Sequence, residues 1–363
     1  MAPAHDPTAP PRPGEELDAG PLADWLRPRV AGAVGELTVE QFPSGHSNLT
    51  YLIRMGNEEW VLRRPPFGSQ VKSAHDMGRE YQILSRLCRV YAPAPEPVLF
   101  CDDASVLGAP FYLMRRLHGV LIRKTLPPSI PPLPDLLGRI AAAFIGNLAT
   151  LHAVDLRAAG LDTFGKPAGY SARQIEGWTR RWDAAATEPV ADMQSLAGWL
   201  AAHLPQQPTA APAVIHNDYK FDNVLLDASE PTRIAGVFDW EMATVGDPWM
   251  DLGTALSYWI DPTDPPEFQA LTFSPTNLPG FPTRAGILAL YEEASGRKVP
   301  NPVFYYAYGL FKLAVILQQI YYRYAQGLTD DPRFAEFPPV VRGLARQGWA
   351  AAESGSLQPG GGG

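Results

Sequence analysis

The spacing of the apolar residues changes along the chain, and this change limits the possible folds more than any other feature. Between residues 37 and 117, short apolar runs separated by turn residues predict strands around a single helix. After a proline-dense link at residues 127–134 the spacing becomes helical, apart from a short β-rich interval at Val214–Asp239. The sequence therefore predicts a bilobal α+β fold with a small β-rich N-lobe and a larger, mainly helical C-lobe.

The individual elements follow from the same patterns. The predicted strands of the N-lobe are Leu37–Phe42, Leu49–Arg54, Trp60–Arg63 and Phe111–Met114. The predicted helices are Ser73–Val90, Leu136–Val154, Ala172–Ala186 and Met193–Leu204, with further helices towards the C-terminus. The first three strands are separated by short turns, which predicts an antiparallel meander.

Length and composition set the domain boundaries. The chain has 363 residues, of which 46% are hydrophobic, and this is enough for about two domains at roughly 150 residues each. Five prolines in the first thirteen positions predict a disordered or loosely docked tail over residues 1–20, and four final glycines predict a flexible tail over residues 351–363. The N-lobe is then assigned to residues 21–117 and the C-lobe to residues 118–350.

The charge balance and the cysteine count narrow the function classes. Lys and Arg total 30 against 38 Asp and Glu, so the net charge of −8 argues against nucleic-acid and anionic-membrane partners. Two cysteines cannot form a disulfide framework, and the N-terminus lacks the apolar core of a secretory signal, so a cytoplasmic location is expected. The apolar stretch Val303–Tyr322 contains Lys312, which favours a buried core helix over a membrane span.

The β-rich interval carries the polar residues that predict chemistry. Residues 214–223 read V-I-H-N-D-Y-K-F-D-N and lead into an apolar strand, and thirteen residues after Asn223 the sequence G-V-F-D-W-E begins. Asp218 and Asn223 lie on a loop after one strand, and Asp239 ends the next strand of what looks like a hairpin. Phosphoryl transfer to a hydroxyl requires oxygen ligands for Mg²⁺ and a carboxylate that accepts the hydroxyl proton, and these residue types supply both.

The same residues carry a family resemblance. The pattern His216-x-Asp218-x-x-x-x-Asn223 with Asp239 matches the catalytic loop and second aspartate of protein kinases. The run F-D-W-E continuing into G-D-P and D-L at residues 238–252 resembles the aminoglycoside phosphotransferase and choline kinase group more closely. The resemblance covers residues 37–330. It is nearest to the branch found fused to acyl-CoA dehydrogenases, through the segments S-G-H-S-N (44–48), W-V-L-R-R-P-P (60–66), R-E-Y (79–81), F-Y-L-M (111–114) and R-Q (173–174).

The resemblance implies a protein-kinase-like fold and the use of ATP and Mg²⁺. It also implies roles for particular residues of the C-lobe. Asp218 would be the catalytic base, and Lys220 would neutralise charge on the transferred phosphoryl group. Asn223 and Asp239 would hold Mg²⁺ on the nucleotide phosphates. His216 is interpreted as a structural brace, and the resemblance gives Asp251 the role of anchoring the loop backbone. His152 is predicted to be a core histidine at a helix end.

In the N-lobe the resemblance implies the nucleotide contacts. Ser44, Gly45, Ser47 and Asn48 would belong to the loop that covers the phosphates. Arg63 falls where kinases carry a phosphate-binding lysine, with Glu80 as its helix partner, and arginine would bind phosphate through a planar fork. Met114, Arg115 and Leu117 would lie in the hinge, where backbone groups of Arg115 and Leu117 would meet the adenine.

The function expected from these residues is an ATP-dependent kinase acting on a small-molecule hydroxyl, as a monomer or homodimer. One alternative is a nucleotide-binding pseudokinase with a scaffold or sensor role, which the arginine at position 63 favours and the intact Asp218, Asn223 and Asp239 oppose. A protein kinase is disfavoured because no A-P-E segment follows Asp239.

The acceptor is not defined by the sequence. The predicted acceptor region contains acids that could bind a polycationic aminoglycoside, namely Asp261, Asp264, Glu267, Glu292 and Glu293. The same region contains many aromatic residues, which form either a thick core or a partly apolar pocket: Phe304, Tyr305, Tyr306, Tyr308, Phe311, Tyr321 and Tyr322. The resemblance to the acyl-CoA dehydrogenase-linked branch implies a hydroxyacyl-CoA-like acceptor or another metabolite rather than an antibiotic.

Overall fold

The chain folds into two compact units, each assembled from several stretches of sequence. The structure is a computed structural model that describes residues 8–42, 48–67, 72–205, 210–271, 273–329 and 331–358, without the side chains of residues 72–76. The N-terminal unit comprises Met1–Leu121, Arg157–Leu161 and Val224–Ala243. The C-terminal unit comprises Ile122–Leu156, Asp162–Asn223 and Thr244–Gly363.

The described residues form both helices and strands throughout the chain. In chain order the elements are α1 (Ala19–Leu26), β1 (Leu37–Gln41), β2 (Leu49–Met55), β3 (Glu58–Arg64), α2 (Lys72–Leu87), β4 (Pro97–Cys101), α3 (Ala104–Leu107), β5 (Phe111–Arg115), β6 (Val120–Leu121), α4 (Pro134–His152), α5 (Tyr170–Ala185), α6 (Ala191–Ala202), β7 (Ala213–Ile215), β8 (Val224–Leu226), β9 (Ile234–Val237), β10 (Thr244–Gly246), α7 (Pro248–Ser257), α8 (Pro266–Gln269), α9 (Arg284–Ser295), α10 (Pro302–Ala325) and α11 (Phe337–Ser354). Short 3₁₀ turns lie at Phe221–Asn223, Trp240–Met242 and Pro332–Glu336.

A five-stranded antiparallel sheet in the order β1-β2-β3-β5-β4 forms the centre of the N-terminal unit. The predicted meander is confirmed: β2 and β3 pair from Leu49↔Arg64 to Met55↔Glu58, and Gly56 has the positive φ of 58° that their tight turn requires. Alternate side chains of the strands, including Tyr51, Trp60 and Leu62, enter one hydrophobic core that α1 helps to cover. A second sheet, β6-β8-β9, brings residues 224–237 into the same unit.

Helix α10 forms the core of the C-terminal unit. It is the one helix in the described ranges that is long and apolar enough to span a membrane, but 78% of its most apolar window is buried inside the protein. Phe304, Tyr305, Tyr306, Tyr308 and Phe311 are at most 1% exposed, so these aromatic residues of the predicted acceptor region belong to the core. Tyr321 and Tyr322, near the end of the helix, are partly buried.

The two units divide the chain differently from the predicted lobes. The first boundary lies after Leu121 instead of after residue 117, and Val224–Ala243 belongs to the N-terminal unit although the sequence places it in the C-lobe. The reason is pairing: β8 forms a ladder with β6, through Val120↔Leu226 and Leu121↔Leu225. Gly119 permits this approach, because a Cβ there would lie 2.2 Å from the carbonyl oxygen of Leu226.

Parts of both predicted tails are attached to the fold. Ala9 forms an antiparallel bridge with Gln41, and the Tyr51 hydroxyl donates to the carbonyl of Glu15 at 2.6 Å. At the other end, α11 continues to Ser354, and Leu357 is buried. Hydrogen bonding to a strand edge and burial of isolated apolar side chains help to hold these segments, and neither produces a periodic pattern that composition would reveal.

Candidate functional site

The loop at His216–Asn223 follows β7 in the C-terminal unit and is fixed by its backbone. Asp251, in the first turn of α7, accepts from the backbone N–H groups of His216 at 2.7 Å and Asn217 at 2.6 Å. Asn217 has a left-handed φ of 67°, a conformation that asparagine tolerates better than most residues. These contacts match the anchoring role that the resemblance implies for Asp251.

A histidine from a distant helix completes this anchor. His152, at the end of α4, approaches Asp251 through Nε2 at 3.1 Å and the Tyr291 hydroxyl through Nδ1 at 2.7 Å. Burial would raise the pKa of Asp251, but the hydrogen bonds from His152 and the loop backbone hold that pKa below its usual value. Asp251 is therefore ionised, and His152 does more than fill the core.

The carboxylate of Asp218 has a hydrogen-bond donor on each oxygen. Oδ2 accepts from the Lys220 ammonium at 2.8 Å and from the Asn223 amide at 2.9 Å, and Oδ1 accepts from the Tyr258 hydroxyl at 2.6 Å. Burial opposes ionisation, but the Lys220 charge and these hydrogen bonds hold the pKa of Asp218 below its usual value. The loop thus presents a fixed, ionised carboxylate that can accept a proton.

Two further contacts to this loop were not anticipated from the sequence. Tyr258 follows the last turn of α7 and reaches Asp218 from 40 residues away in the chain. Lys312 is buried in the middle of α10 and donates from Nζ to the carbonyl of Asn217. Burial lowers the pKa of Lys312 to about 8, although Asp218 and Asp251 favour its charged form. The lone lysine in an apolar helix was the signal that could have revealed the second contact.

Arg63 is the centre of a charge cluster in the N-terminal unit. Its guanidinium lies 3.5 Å from Glu80 and 3.0 Å from Asp239, with Glu241 at 3.9 Å. Burial would lower the pKa of Arg63, but the surrounding carboxylates raise it far above its usual value, so the side chain is charged. The predicted pairing of Arg63 with Glu80 is present in the structure.

Asp239 is held in an uncommon conformation next to this arginine. Its φ of 65° is left-handed, and it precedes the short 3₁₀ turn at Trp240–Met242. The backbone N–H of Trp240 donates to Glu80 at 3.2 Å, which ties that turn to α2. An aspartate in this backbone region is a recognised feature of functional sites, and here it directs the carboxylate to Arg63.

The remaining predicted nucleotide contacts are only partly described. Ser44, Gly45 and Ser47 lie outside the described residues, whereas Asn48 donates to Glu241 at 2.7 Å. The other three predicted residues belong to β5 and the segment that follows it: Met114 is buried in the sheet, Arg115 donates its backbone N–H to the Glu96 carbonyl at 2.9 Å, and the Leu117 side chain packs against Gly236.

The two predicted Mg²⁺ ligands supply suitable oxygen atoms. Asn223 directs its amide nitrogen to Asp218, so its amide oxygen is the atom available for a cation. Asp239 brings a carboxylate that is 34% exposed and is balanced by Arg63. Carboxylate and amide oxygens are the protein ligands that Mg²⁺ prefers, so the donor chemistry fits this ion.

Three of the five acids in the predicted acceptor region serve the fold. Asp264 forms a bidentate ion pair with Arg284, and Asp261 accepts from the backbone N–H of Arg284 at 3.0 Å. All three residues are at most 4% exposed. Glu292 accepts from Lys298 and from the Val299 backbone. The expectation that Asp261 and Asp264 could bind a cationic acceptor is therefore wrong, because both carboxylates are buried against an arginine of their own chain.

Comparison with known proteins identifies related sequences. A model of the phosphotransferase enzyme family (APH) matches residues 38–286. Acyl-CoA dehydrogenase family member 11 from Gallus gallus is 34% identical over 339 residues, and the human protein is 31% identical over 342 residues. The matches cover 92% and 93% of this chain but 43% of each relative, so the chain spans less than half the length of these relatives.

Solved structures with the same fold include kinases of small molecules. A candidate aminoglycoside phosphotransferase from Ralstonia eutropha is 32% identical, with a TM-score of 0.79 and coverage of 93% of this chain and 99% of the other. Choline kinase from Cryptosporidium parvum shares the fold at 13% identity, with a TM-score of 0.63 and coverage of 94% and 98%. The predicted α+β, protein-kinase-like fold class is confirmed by these likenesses.

Proposed function

The chain belongs to the phosphotransferase enzyme family, and we propose that it transfers the γ-phosphate of ATP to a hydroxyl group of a small molecule. The observation that carries this proposal is the state of Asp218: a partly buried carboxylate that the charge of Lys220 keeps ionised and that Lys220 and Asn223 hold through one oxygen. A carboxylate with these properties on a rigid loop is suited to accept the proton of an attacking hydroxyl.

In the proposed reaction the acceptor hydroxyl donates its proton to Asp218 as its oxygen attacks the γ-phosphorus. A bond forms between that oxygen and the phosphorus, the bond to the β–γ bridging oxygen breaks, and ADP leaves. Asn223 and Asp239 would hold Mg²⁺, which supplies positive charge to the phosphates when bound. Lys220 and Arg63 would contribute further positive charge to the transferred group and to the nucleotide.

We propose a hydroxyacyl-CoA-like compound or another metabolite as the acceptor, in preference to an aminoglycoside. Two observations support this choice. Two of the five acids in the predicted acceptor region, Asp261 and Asp264, are buried and engaged by Arg284. In addition, the matched relatives are named as acyl-CoA dehydrogenase family members, which makes acyl-CoA metabolism a suitable place to look for the acceptor.

Replacement of the proposed base tests the reaction. ADP release from ATP and Mg²⁺ is measured across a panel of aminoglycosides, choline, sugars and hydroxyacyl-CoAs, and the acceptor found is then used with Asp218→Asn. The expected loss of turnover is about 10²-fold or more, because the amide cannot accept the proton. Asp183→Asn, an exposed change on α5, is the matched control and should keep full activity. Turnover of Asp218→Asn within twofold of the wild type would contradict the assignment.

A pseudokinase remains the second candidate, and the observation that favours it is the engagement of Arg63 with Asp239 at 3.0 Å. In either function ATP with Mg²⁺ should raise the melting temperature, and Asp239→Ala should remove that stabilisation because it deletes a proposed Mg²⁺ ligand. The candidates differ in turnover: a pseudokinase binds the nucleotide but releases no ADP with any acceptor. An unchanged nucleotide-induced shift in Asp239→Ala would contradict the proposed role of this residue.

A further inference from the structure

The hydroxyl of Tyr258 makes the contact with Asp218 that an acceptor hydroxyl would make. It donates to Oδ1 at 2.6 Å, whereas Oδ2 is already engaged by Lys220 at 2.8 Å and Asn223 at 2.9 Å. An incoming hydroxyl therefore finds Oδ2 occupied by donors that are covalently part of the same loop. Oδ1 is the oxygen at which a new donor can be exchanged, and Tyr258 has to yield or share it.

The position of Tyr258 is well defined by its surroundings. Its backbone ends α7, and its carbonyl accepts from the Ser274 hydroxyl at 3.1 Å. The ring meets Phe273 edge-on at 5.9 Å between centroids, and the Lys220 ammonium lies 5.0 Å from the ring centroid. Burial and the nearby Asp218 raise the pKa of the phenol far above its usual value, so the hydroxyl stays protonated and acts as a donor.

The same helix fixes both the loop and its carboxylate. Asp251 lies in the first turn of α7 and holds the loop backbone, while Tyr258, seven residues later on the same helix face, reaches the side chain of Asp218. Asp251 is fully buried, so this end of the helix is held firmly in the core. Tyr258 differs from it in being only partly buried, which is the property expected of a side chain that can be displaced.

We propose that Tyr258 is a positioning residue that occupies the acceptor's hydrogen-bonding place on Asp218 and keeps water from it until the acceptor binds. This inference rests on the proposed function, in which Asp218 is the base. A water molecule at Oδ1 would be a competing nucleophile: its oxygen would bond to the γ-phosphorus, its proton would pass to Asp218, and the bond to ADP would break. The Tyr258 phenol does not attack the γ-phosphorus while it donates its hydrogen bond to Asp218, so ATP is not hydrolysed.

Acceptor-independent hydrolysis of ATP tests this inference without knowledge of the acceptor. The 363-residue chain is incubated with ATP and Mg²⁺ alone, and release of inorganic phosphate is compared between wild type and Tyr258→Phe. Removal of one hydroxyl leaves room for a water beside Oδ1 with little change in packing, so hydrolysis should rise about fivefold or more. Tyr324→Phe, a partly buried tyrosine on α10, is the matched control and should leave hydrolysis unchanged.

A double variant separates this inference from the proposed function. If water acts through the base, Tyr258→Phe combined with Asp218→Asn should return hydrolysis to the wild-type level or below. Hydrolysis that is unchanged or reduced in Tyr258→Phe overturns the role of Tyr258, whatever the status of the base. A rise that persists in the double variant would show that water does not act through Asp218, and it would overturn the role of Tyr258; the base is tested separately by transfer to the acceptor in Asp218→Asn.

The acceptor reaction provides a second readout once an acceptor is known. Tyr258→Phe should lower KM for the acceptor two- to fivefold, because no hydroxyl has to be displaced from Oδ1, and kcat should stay within about threefold. A merely structural tyrosine would give unchanged KM, and a tyrosine needed to orient the base would lower kcat without raising hydrolysis. Either of these results would overturn the proposed role, while loss of transfer in Asp218→Asn would still support the proposed function.

Discussion

Lys312 shows how a single residue can link the core to the candidate site. It lies in the apolar helix α10 at 1% exposure, and its ammonium donates to the carbonyl of Asn217, directly before Asp218 in the chain. Asp218 and Asp251 favour its charge, Lys220 opposes it, and burial is the largest influence, so the pKa falls to about 8. A lysine at this position supports a loop residue with left-handed φ that the helix could not otherwise reach.

The lowered pKa predicts how stability depends on pH. The pKa of Lys312 is about 8 in the folded protein against an ordinary value of 10.5, so the unfolded chain binds more protons between these values. Wild-type stability relative to Lys312→Met should therefore rise with pH, by about 2 kcal/mol between pH 7.5 and 9.5. Urea unfolding of both proteins at the two pH values measures this difference, because groups common to both cancel. If the difference in free energy of unfolding between wild type and Lys312→Met stayed constant or fell as the pH rose, the pKa of Lys312 would not be lowered in the folded protein.

At the scale of single residues, the sequence locates candidate residues along the chain but does not give their partners. His216, Asp218 and Asn223 were located by the spacing of one motif, and Asp251 by the resemblance of the G-D-P and D-L run that follows it. Tyr258 could not, because its contact with Asp218 spans 40 residues and depends on the direction in which α7 ends. The same limit applies to His152, whose partner Asp251 lies 99 residues away.

At the scale of elements, α7 and α10 cross with their backbones in contact. A Cβ at Gly253 would lie 2.0 Å from the carbonyl oxygen of Tyr305, and a Cβ at Gly309 would lie 2.2 Å from that of Gly253. Real side chains do not approach backbone oxygens so closely, so both positions require glycine. The close crossing matters for the site, because α7 carries Asp251 and α10 carries Lys312.

Alanine should have opposite effects on stability at a glycine of this crossing and at a glycine with free space around it. Gly309→Ala should destabilise the protein by about 3 kcal/mol or more, because α10 must move away from α7. Gly146→Ala, on α4 with no atom within 4 Å of the added Cβ, should stabilise it by about 0.5–1 kcal/mol through helix propensity. Thermal unfolding monitored by circular dichroism compares the two. Equal effects of the two substitutions would show that the helices do not pack as described.

The predicted elements agree with the structure where the apolar period is long and uninterrupted. The predicted helix Leu136–Val154 corresponds to α4 at Pro134–His152, and Ala172–Ala186 corresponds to α5 at Tyr170–Ala185. Two-residue β6 was not predicted, because a strand of that length has no period, and its existence depends on pairing with β8 about 100 residues later. Local pattern therefore predicts long elements, and tertiary pairing decides the short ones.

At the scale of the whole molecule, the chain enters and leaves each unit more than once. The N-terminal unit needs Val224–Ala243 to complete the β6-β8-β9 sheet. In the chain these residues follow α4, α5 and α6, which belong to the C-terminal unit. Composition and local pattern assign boundaries along the sequence, so they place residues 224–243 with their neighbours in the chain. The structure places them by hydrogen bonding, which explains why the predicted lobe boundaries and the observed units differ.

The C-terminal end gives a test of how far the folded molecule extends. Arg284 is fully buried, and its Nε donates to the carbonyl of Leu357 at 2.7 Å, while Leu357 itself is 8% exposed. A chain that ends at Ser354 loses the burial of Leu357 and leaves one Arg284 donor without its acceptor, so its free energy of unfolding should fall by about 3 kcal/mol. A chain that ends at Gln358 keeps both contacts and is the matched control. Urea unfolding of the two truncated chains and the wild type measures the effect. If the chain ending at Ser354 were as stable as the one ending at Gln358, residues 355–358 would be the flexible tail that composition predicts, and the buried Arg284 would have to find its hydrogen bond elsewhere.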